Sequence, residues 1–539
     1  MLGVARSVRK GDTVNMNLSW LVDEPHRRLA TGDPEACALS AEGMERWSYR
    51  DLRDHADRYA KGLQDLGVVT GDRVGILLLN SLEYWATYFG ILKLGAIAVR
   101  LNFRLAPAEL QYVLSDSGCK VLCFHARFGT RLEPIRPEVP VQAYVVFQEA
   151  GGDGPDWALS SKAWEEGDPV GISPAASNMS DPAMLMYTSG TSGQAKGALW
   201  THGNTLWFAV MQALKWGFSP GTVAMTTGPF YHVGAFEDLL LPALLSRGSA
   251  VFLGSGGFSI ERALTVMEKE RVTDILLYPF MLYELVRYSN LEQHDLSRLK
   301  RIVSGGDPLM PWAVEAVRER LPGVELVQAY GLTEGGAIST CLDDAYAAVH
   351  PDSVGRPLPL TSVSVVREDG SEAEPGEVGE VMVCSPSVSA GYWNQPNATR
   401  ETFVDGWCRT GDLGRVTDDG FLVLTGRKKD MIRSGGENIY PAEVERVLTD
   451  HPVVMEAAVI AVPDEKFLEV GCAVVVLEAG VLVDDEELLG YCRSYLASYK
   501  VPRYVVRVDQ LPRNLSGKVT KYALRERYRQ IGREPQSSL

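Results

Sequence analysis

The sequence predicts an α/β protein: a large N-terminal domain of α/β subdomains with a β-rich subdomain, then a small mobile α+β domain. Three observations carry that reading. From Trp47 onward, short apolar runs alternate with helix-length segments, the order produced by right-handed βαβ units and a parallel sheet. The chain has 539 residues, more than one hydrophobic core can fill. Between 353 and 425 the segments shorten and favour Val, Gly and Pro, as in a β-rich subdomain.

Each element follows from local signals. Leu52, Ala56, Tyr59, Leu63 and Leu66 recur at helical spacing, and Gly67 stops that helix. Gly71-Asp72-Arg73 turns into an apolar strand over 74–79. Ser81 is a good N-cap for a helix to about Leu94, closed by Gly95. A strand at 96–99, a helix at 107–116 and a strand at 120–124 follow. Residues 150–180 are rich in Gly, Asp, Pro and Ser and read as a mobile connector. Alternation resumes from 223 to 330. Gly254-Ser255-Gly256-Gly257 is a turn, because Ser259 breaks the dinucleotide fingerprint. Gly426-Arg427-Lys428-Lys429-Asp430 has the composition of a hinge. It divides the chain into 1–425, 426–430 and 431–539.

Composition narrows the function classes. The net charge of −16 argues against general nucleic-acid binding and against an anionic membrane surface. No apolar run reaches the length of a membrane span, and the first ten residues lack a signal-peptide core. Eight cysteines are scattered with no CxxC, so reduced thiols in a cytoplasmic protein are expected. Cys119 and Cys123 read as buried packing at a strand.

The densest signal is Tyr187-Thr188-Ser189-Gly190-Thr191-Ser192-Gly193-Gln194-Ala195-Lys196-Gly197. A glycine- and hydroxyl-rich loop between two short strands offers many N–H and O–H donors to a polyphosphate. It is not a Walker A loop, since Ala195 stands where the second glycine is needed and Gly197 follows the lysine. Taken alone, such a loop favours phosphate binding over a plain surface turn. Gln328-Ala329-Tyr330-Gly331-Leu332-Thr333-Glu334 lies at the C-terminal end of a predicted strand, where open α/β sheets bind ligands. Tyr330 can stack on a purine, Thr333 offers a hydroxyl to phosphate, and Glu334 offers an oxygen to Mg²⁺.

The loop 187–197 resembles the phosphate loop of the adenylate-forming (ANL) superfamily, which includes the acyl-CoA synthetases of the AMP-dependent synthetase and ligase family. It departs from the usual run at Ser192, which keeps the hydroxyl, and at Ala195, where proline would have fixed φ. Tyr330-Gly331-Leu332-Thr333-Glu334 matches the family's core in full, and the motif order also fits. The resemblance spans about Trp47 to Lys518 and implies roles residue by residue. Gly305, Gly306 and Asp307 resemble the turn facing the adenine. Asp412 would accept from both ribose hydroxyls, as suits a group with two acceptor oxygens. Arg427 would be a second ribose or phosphate contact, and Lys429 the hinge. Gly435 and Gly436 would line the pantetheine tunnel. Lys518 would meet the attacked carboxylate and the α-phosphate as a point charge. Pro229-Phe230-Tyr231-His232-Val233-Gly234 resembles the motif bordering the acyl pocket, with His232 as a gate toward the CoA tunnel. Phe230, Tyr231, Val233, Phe236, Glu237 and Asp238 are then the expected pocket lining.

The implied function uses ATP, Mg²⁺ and CoA to turn a small carboxylic acid into its acyl-adenylate and then its thioester. A homodimer is compatible with this reading. Glu237 and Asp238 are unexpected for a plain fatty-acid tunnel. They either face the pocket, implying a donor on the substrate, or face solvent or a dimer surface. Three alternatives remain open: a relative that loads a carrier protein or makes an amide, a relative that activates nitrite to diazotise an aryl amine, and a non-catalytic ATP-binding relative. The absence of a carrier domain after residue 530 favours free CoA, and Glu334, Asp412 and Lys518 argue against the last.

Overall fold

The computed structural model describes residues 15–23, 33–43, 46–148, 154–168, 171–188, 195–434, 437–464, 466–478, 480–481, 483–513 and 518–531. The chain divides into two units. The first holds residues up to 345 with 357–362 and 383–408; the second holds 346–356, 363–382 and 409 onward.

Two largely parallel sheets frame the first unit. One runs in spatial order Leu159–Ser160, Ala143–Phe147, Val121–His125, Arg73–Leu77, Ile97–Arg100, Pro182–Thr188 and Lys196–Thr201. Every pair in it is parallel except the last, which is the hairpin carrying the phosphate-loop motif. The other sheet includes, in order, Thr340–Leu342, Glu325–Tyr330, Arg301–Gly305, Asp274–Leu276, Val223–Thr226, Ser249–Phe252, Cys37–Ala41 and Arg46–Ser48. Its interior pairs are parallel, and the pairs made by Thr340–Leu342 and Arg46–Ser48 are antiparallel. The alternation in the sequence thus builds two parallel sheets.

The helix signals hold. Tyr49–Asp65 begins at a capping box on Ser48, and Leu82–Lys93 begins at Ser81, whose hydroxyl accepts from the Tyr84 N–H at 3.3 Å. Leu82–Lys93 is nearly all apolar because it is buried on most sides. Its last residue, Lys93, is buried with its ammonium 2.6 Å from both Asp57 and Asp23, so its charge is matched. Cys119 and Cys123 are buried packing residues, as expected.

One expectation fails. Residues 154–168 do not form a bare connector, because two tryptophans anchor them. Trp157 stacks on Phe124 with centroids 5.5 Å apart, and Trp164 packs against Tyr59 and into the space left by Gly62. Glycine and proline set the local turns there, but large aromatic area decides the packing.

In the second unit, Trp407–Val416 pairs antiparallel with Leu422–Arg427. A separate sheet is built on the long hairpin Val454–Asp464 and Leu468–Leu477. Ile432–Ser434 and Tyr504–Arg507 flank the latter strand, and the helices Pro441–Thr449, Asp485–Tyr495 and Lys521–Tyr528 complete an α+β arrangement. The segment 426–430 lies inside this unit, as the end of a strand and the turn after it.

Candidate active site

The hairpin brings the two ends of the phosphate-loop motif together, with Thr188 opposite Lys196 in register. Ser189, Gly190, Thr191, Ser192 and Gly193 lie outside the described residues, as do Gly435 and Gly436. Thr188 donates its hydroxyl to Glu334 Oε1 at 2.9 Å, and the Tyr392 hydroxyl donates to the same oxygen at 3.0 Å. The Lys196 ammonium stands 5.0 Å from the centre of the Tyr392 ring. Trp200 Nε1 donates to the Thr333 carbonyl at 3.0 Å. Burial, then Glu334, raise the Tyr392 hydroxyl pKa, so this phenol stays a donor. The structure therefore joins Thr188, Lys196, Thr333 and Glu334, which are far apart in sequence. It adds Tyr392, which sequence reasoning missed; the only local signal was Gly391-Tyr392-Trp393, an aromatic pair after a glycine.

Glycines allow this convergence. A side chain on Gly331 would overlap the carbonyl oxygen of Ala337, so the turn after Glu325–Tyr330 closes only on glycine. A Cβ on Gly305 would lie 2.6 Å from the Ala329 carbonyl oxygen. Gly305 is thus tied to Ala329 beside Gln328 and Tyr330, and Gly306 and Asp307 stand exposed beyond it. A Cβ on Gly306, whose φ is +100°, would lie 3.6 Å from the ring of Tyr278.

The Phe230–Asp238 stretch is placed differently from the expectation. Phe230 and Phe236 are core residues, packed against each other at 5.3 Å and both against Trp85. Both side chains are buried. Val233 is buried. Tyr231 packs edge-on to Phe103 at 5.1 Å, and half-buried His232 lies against it. Glu237 is 1 % exposed and ion-pairs with Arg100, so it does not face solvent. Arg100 also donates to the carbonyls of Phe230 and His232. Burial works against the Arg100 charge, but the Glu237 carboxylate outweighs it and keeps the guanidinium charged. Asn80 completes the clamp: its amide donates to the Gly228 carbonyl at 2.8 Å, and its Oδ1 accepts from the Phe230 N–H at 2.9 Å. Asp238 is also buried and makes no ion pair among the described residues; burial and then Glu237 push its carboxyl well above the usual range.

In the second unit, Asp412 Oδ1 is 2.5 Å from Arg427 Nε, across the register that pairs the two residues. Glu380 receives Arg409 and Lys428, each at 3.0 Å. Lys429 is exposed in the turn, whose hydrogen bonds are made by the N–H groups of Lys428, Asp430 and Met431. Lys518 is exposed at the foot of a loop closed by a bridge between Arg513 and Val519. Among the described residues no His, Cys, Asp and Glu cluster has the makings of a metal cage.

Comparison with known proteins agrees with this arrangement. Residues 27–393 match the model of the AMP-binding enzyme family, and 443–518 match the AMP-binding enzyme C-terminal domain. The chain is 38% identical over 514 residues to a feruloyl-CoA synthase from an Amycolatopsis species, covering 95% of this chain and 98% of that one. It is 34% identical over 514 residues, with the same coverage, to the long-chain-fatty-acid–CoA ligase FadD13 of Mycobacterium tuberculosis. The ATP-bound crystal structure of MatB from Rhodopseudomonas palustris superposes with a TM-score of 0.86 at 30% identity, over 96% of this chain and 100% of that one. With the phosphate-loop hairpin set against Glu334 and both family models matched in order, the chain belongs to the AMP-binding enzyme family of the adenylate-forming superfamily.

Proposed function

We propose that this protein is an AMP-forming acid–CoA ligase. A carboxylate oxygen attacks the α-phosphorus of ATP and pyrophosphate leaves. The CoA thiol then attacks the carbonyl of the acyl-adenylate and AMP leaves. Adenylation is needed because a carboxylate does not react with a thiol. The observation that carries the reading is the convergence of Thr188 and Tyr392 on Glu334 with Lys196 over the Tyr392 ring, a donor-rich cradle with one fixed carboxylate.

Thr188, Lys196 and Thr333 hold phosphates, and Tyr330 and the Gly305–Gly306 turn flank the adenine. In the second unit, Asp412 and Arg427 have the chemistry to take a ribose. Glu334 fits a Mg²⁺ ligand: Oε1 is fixed by two hydroxyls, while Oε2 has no hydrogen bond among the described residues. When bound, Mg²⁺ supplies charge neutralisation on the triphosphate. His232 borders the acyl group, and the segment after Lys429 reorients between the two half-reactions. The acid is aromatic or otherwise functionalised. A pyrophosphate-release screen over acids, with and without CoA, tests the assignment. Thioester formation supports it; release unaffected by CoA and ending in an amide or carrier-bound product replaces it.

Two variants probe the machinery. Tyr392→Phe is expected to lower kcat/KM for pyrophosphate release about tenfold, since a hydrogen bond to a charged group is worth about 1.5 kcal/mol. An unchanged value would make Tyr392 a packing residue. Lys429→Pro removes none of the turn's hydrogen bonds but fixes φ. Single-turnover adenylate formation is expected to survive while thioester formation falls. Unimpaired thioester formation would move the hinge elsewhere.

A further inference from the structure

Asp238 is the buried acid that the ligase mechanism does not use. It is 5 % exposed, and its Oδ1 has no hydrogen-bond partner among the described residues. Glu237 beside it is already committed to Arg100. An acid left in this state is costly to the fold unless something else uses it.

Its surroundings show what could reach it. Gly234 is half-buried between the buried residues Val233 and Ala235. The place where its Cβ would stand is 3.4 Å from Asp238 Oδ2 and 3.4 Å from the Tyr278 hydroxyl. The same tyrosine ring extends to within 3.6 Å of the Cβ position of Gly306. The contacts link exposed Gly306 to Cδ1 and Cε1 of half-buried Tyr278, and that tyrosine's hydroxyl to side-chain-free Gly234 and the carboxyl of Asp238.

We propose that Asp238 accepts a hydrogen bond from a hydroxyl on the ring of an aromatic acid, and so determines which acid this ligase selects. The proposal rests on the acid–CoA ligase reading. Glu237 gives Oε1 to Arg100 and places no oxygen within 4 Å of the Gly234 Cβ position, so beside Gly234 the carboxylate acceptor is Asp238. The low polarity that favours its neutral form also favours a neutral hydroxyl over an ammonium as donor.

The test is pyrophosphate release with matched acids of two lengths: benzoate and cinnamate, their 3- and 4-hydroxy forms, 4-(aminomethyl)benzoate and octanoate. For at least one pair, the wild type is expected to prefer the hydroxylated acid by about 10- to 100-fold in kcat/KM. In Asp238→Leu the ratio is expected to fall to near unity, and in Asp238→Asn, which keeps a neutral acceptor, to persist. Gly234→Ala, which sets a methyl between Asp238 and Tyr278, gives a second reading with the carboxyl intact; the ratio is expected to collapse there too. A hydroxyl preference that survives both Asp238→Leu and Gly234→Ala overturns the proposal. So does a wild type that prefers octanoate, the unsubstituted ring or the ammonium acid. Activity without hydroxyl preference sinks this proposal alone, whereas no release with any acid overturns the ligase reading as well.

Discussion

Lys518→Ala is expected to lower the rate of adenylate formation about 10²- to 10³-fold while sparing thioester formation from supplied acyl-adenylate. One preorganised charge at the developing transition-state charge is worth roughly 3–4 kcal/mol. The described backbone on both sides of Lys518 is tied down. Arg513 and Val519 bridge the two sides of the loop, and the Thr520 N–H donates to the Pro512 carbonyl at 2.7 Å. Arg513 is held 2.7 Å from Glu456 on one side, and Lys521 2.6 Å from Glu445 on the other. Lys518 therefore leaves a clamped base, and its four-carbon stem supplies the reach. Removing the ammonium leaves the clamp intact, so the melting temperature should stay close to wild type. Quench measurements of the two half-reactions separate the cases: equal losses in both would make Lys518 a support of the fold.

Much of this was legible because it depends on neighbours in sequence. Ser48 and Ser81 cap helices through residues three positions away, and the alternation of apolar runs needs no tertiary information. Gly331 and Gly305 are required by backbone approach and Gly306 by its positive φ, constraints the residue type itself displays. The rest depends on distant partners. Arg100 stands at the end of an apolar strand and reads locally as a surface-facing terminus, yet its partner Glu237 is 137 positions away. Tyr392 meets Glu334 from 58 positions away. The core packing of Phe230 and Phe236 was not legible, because an aromatic in an acyl-pocket motif and an aromatic in a core have the same composition. Trp85, on another helix, packs against both.

Arg100→Met is expected to destabilise the fold by about 3–5 kcal/mol, because it leaves Glu237 buried without its counter-charge. The unfolding midpoint in urea measures this. The loss should also depend on pH. Burial already holds the folded-state pKa of Glu237 above its unfolded value against the pull of Arg100, and losing Arg100 raises it further, so the folded variant binds the extra proton. The variant's deficit should therefore be smallest near pH 5 and grow as pH rises toward 8. Adding Glu237→Leu removes the stranded acid and should restore most of the stability and abolish the added pH dependence. It should not restore activity. Arg100 also holds the carbonyls of Phe230 and His232, and no aliphatic pair replaces those hydrogen bonds. In the double variant, the segment that carries His232 keeps the Asn80 contacts and the Tyr84 hydroxyl, which donates to the Phe230 carbonyl at 3.2 Å. A stable but slow double variant is the expected outcome. A single variant within about 1 kcal/mol of wild type would show that the pair contributes little to the fold, since stranding a buried charge costs several times that. Full recovery of adenylation in the double variant would show that Arg100 supports the core without positioning the acyl-site segment.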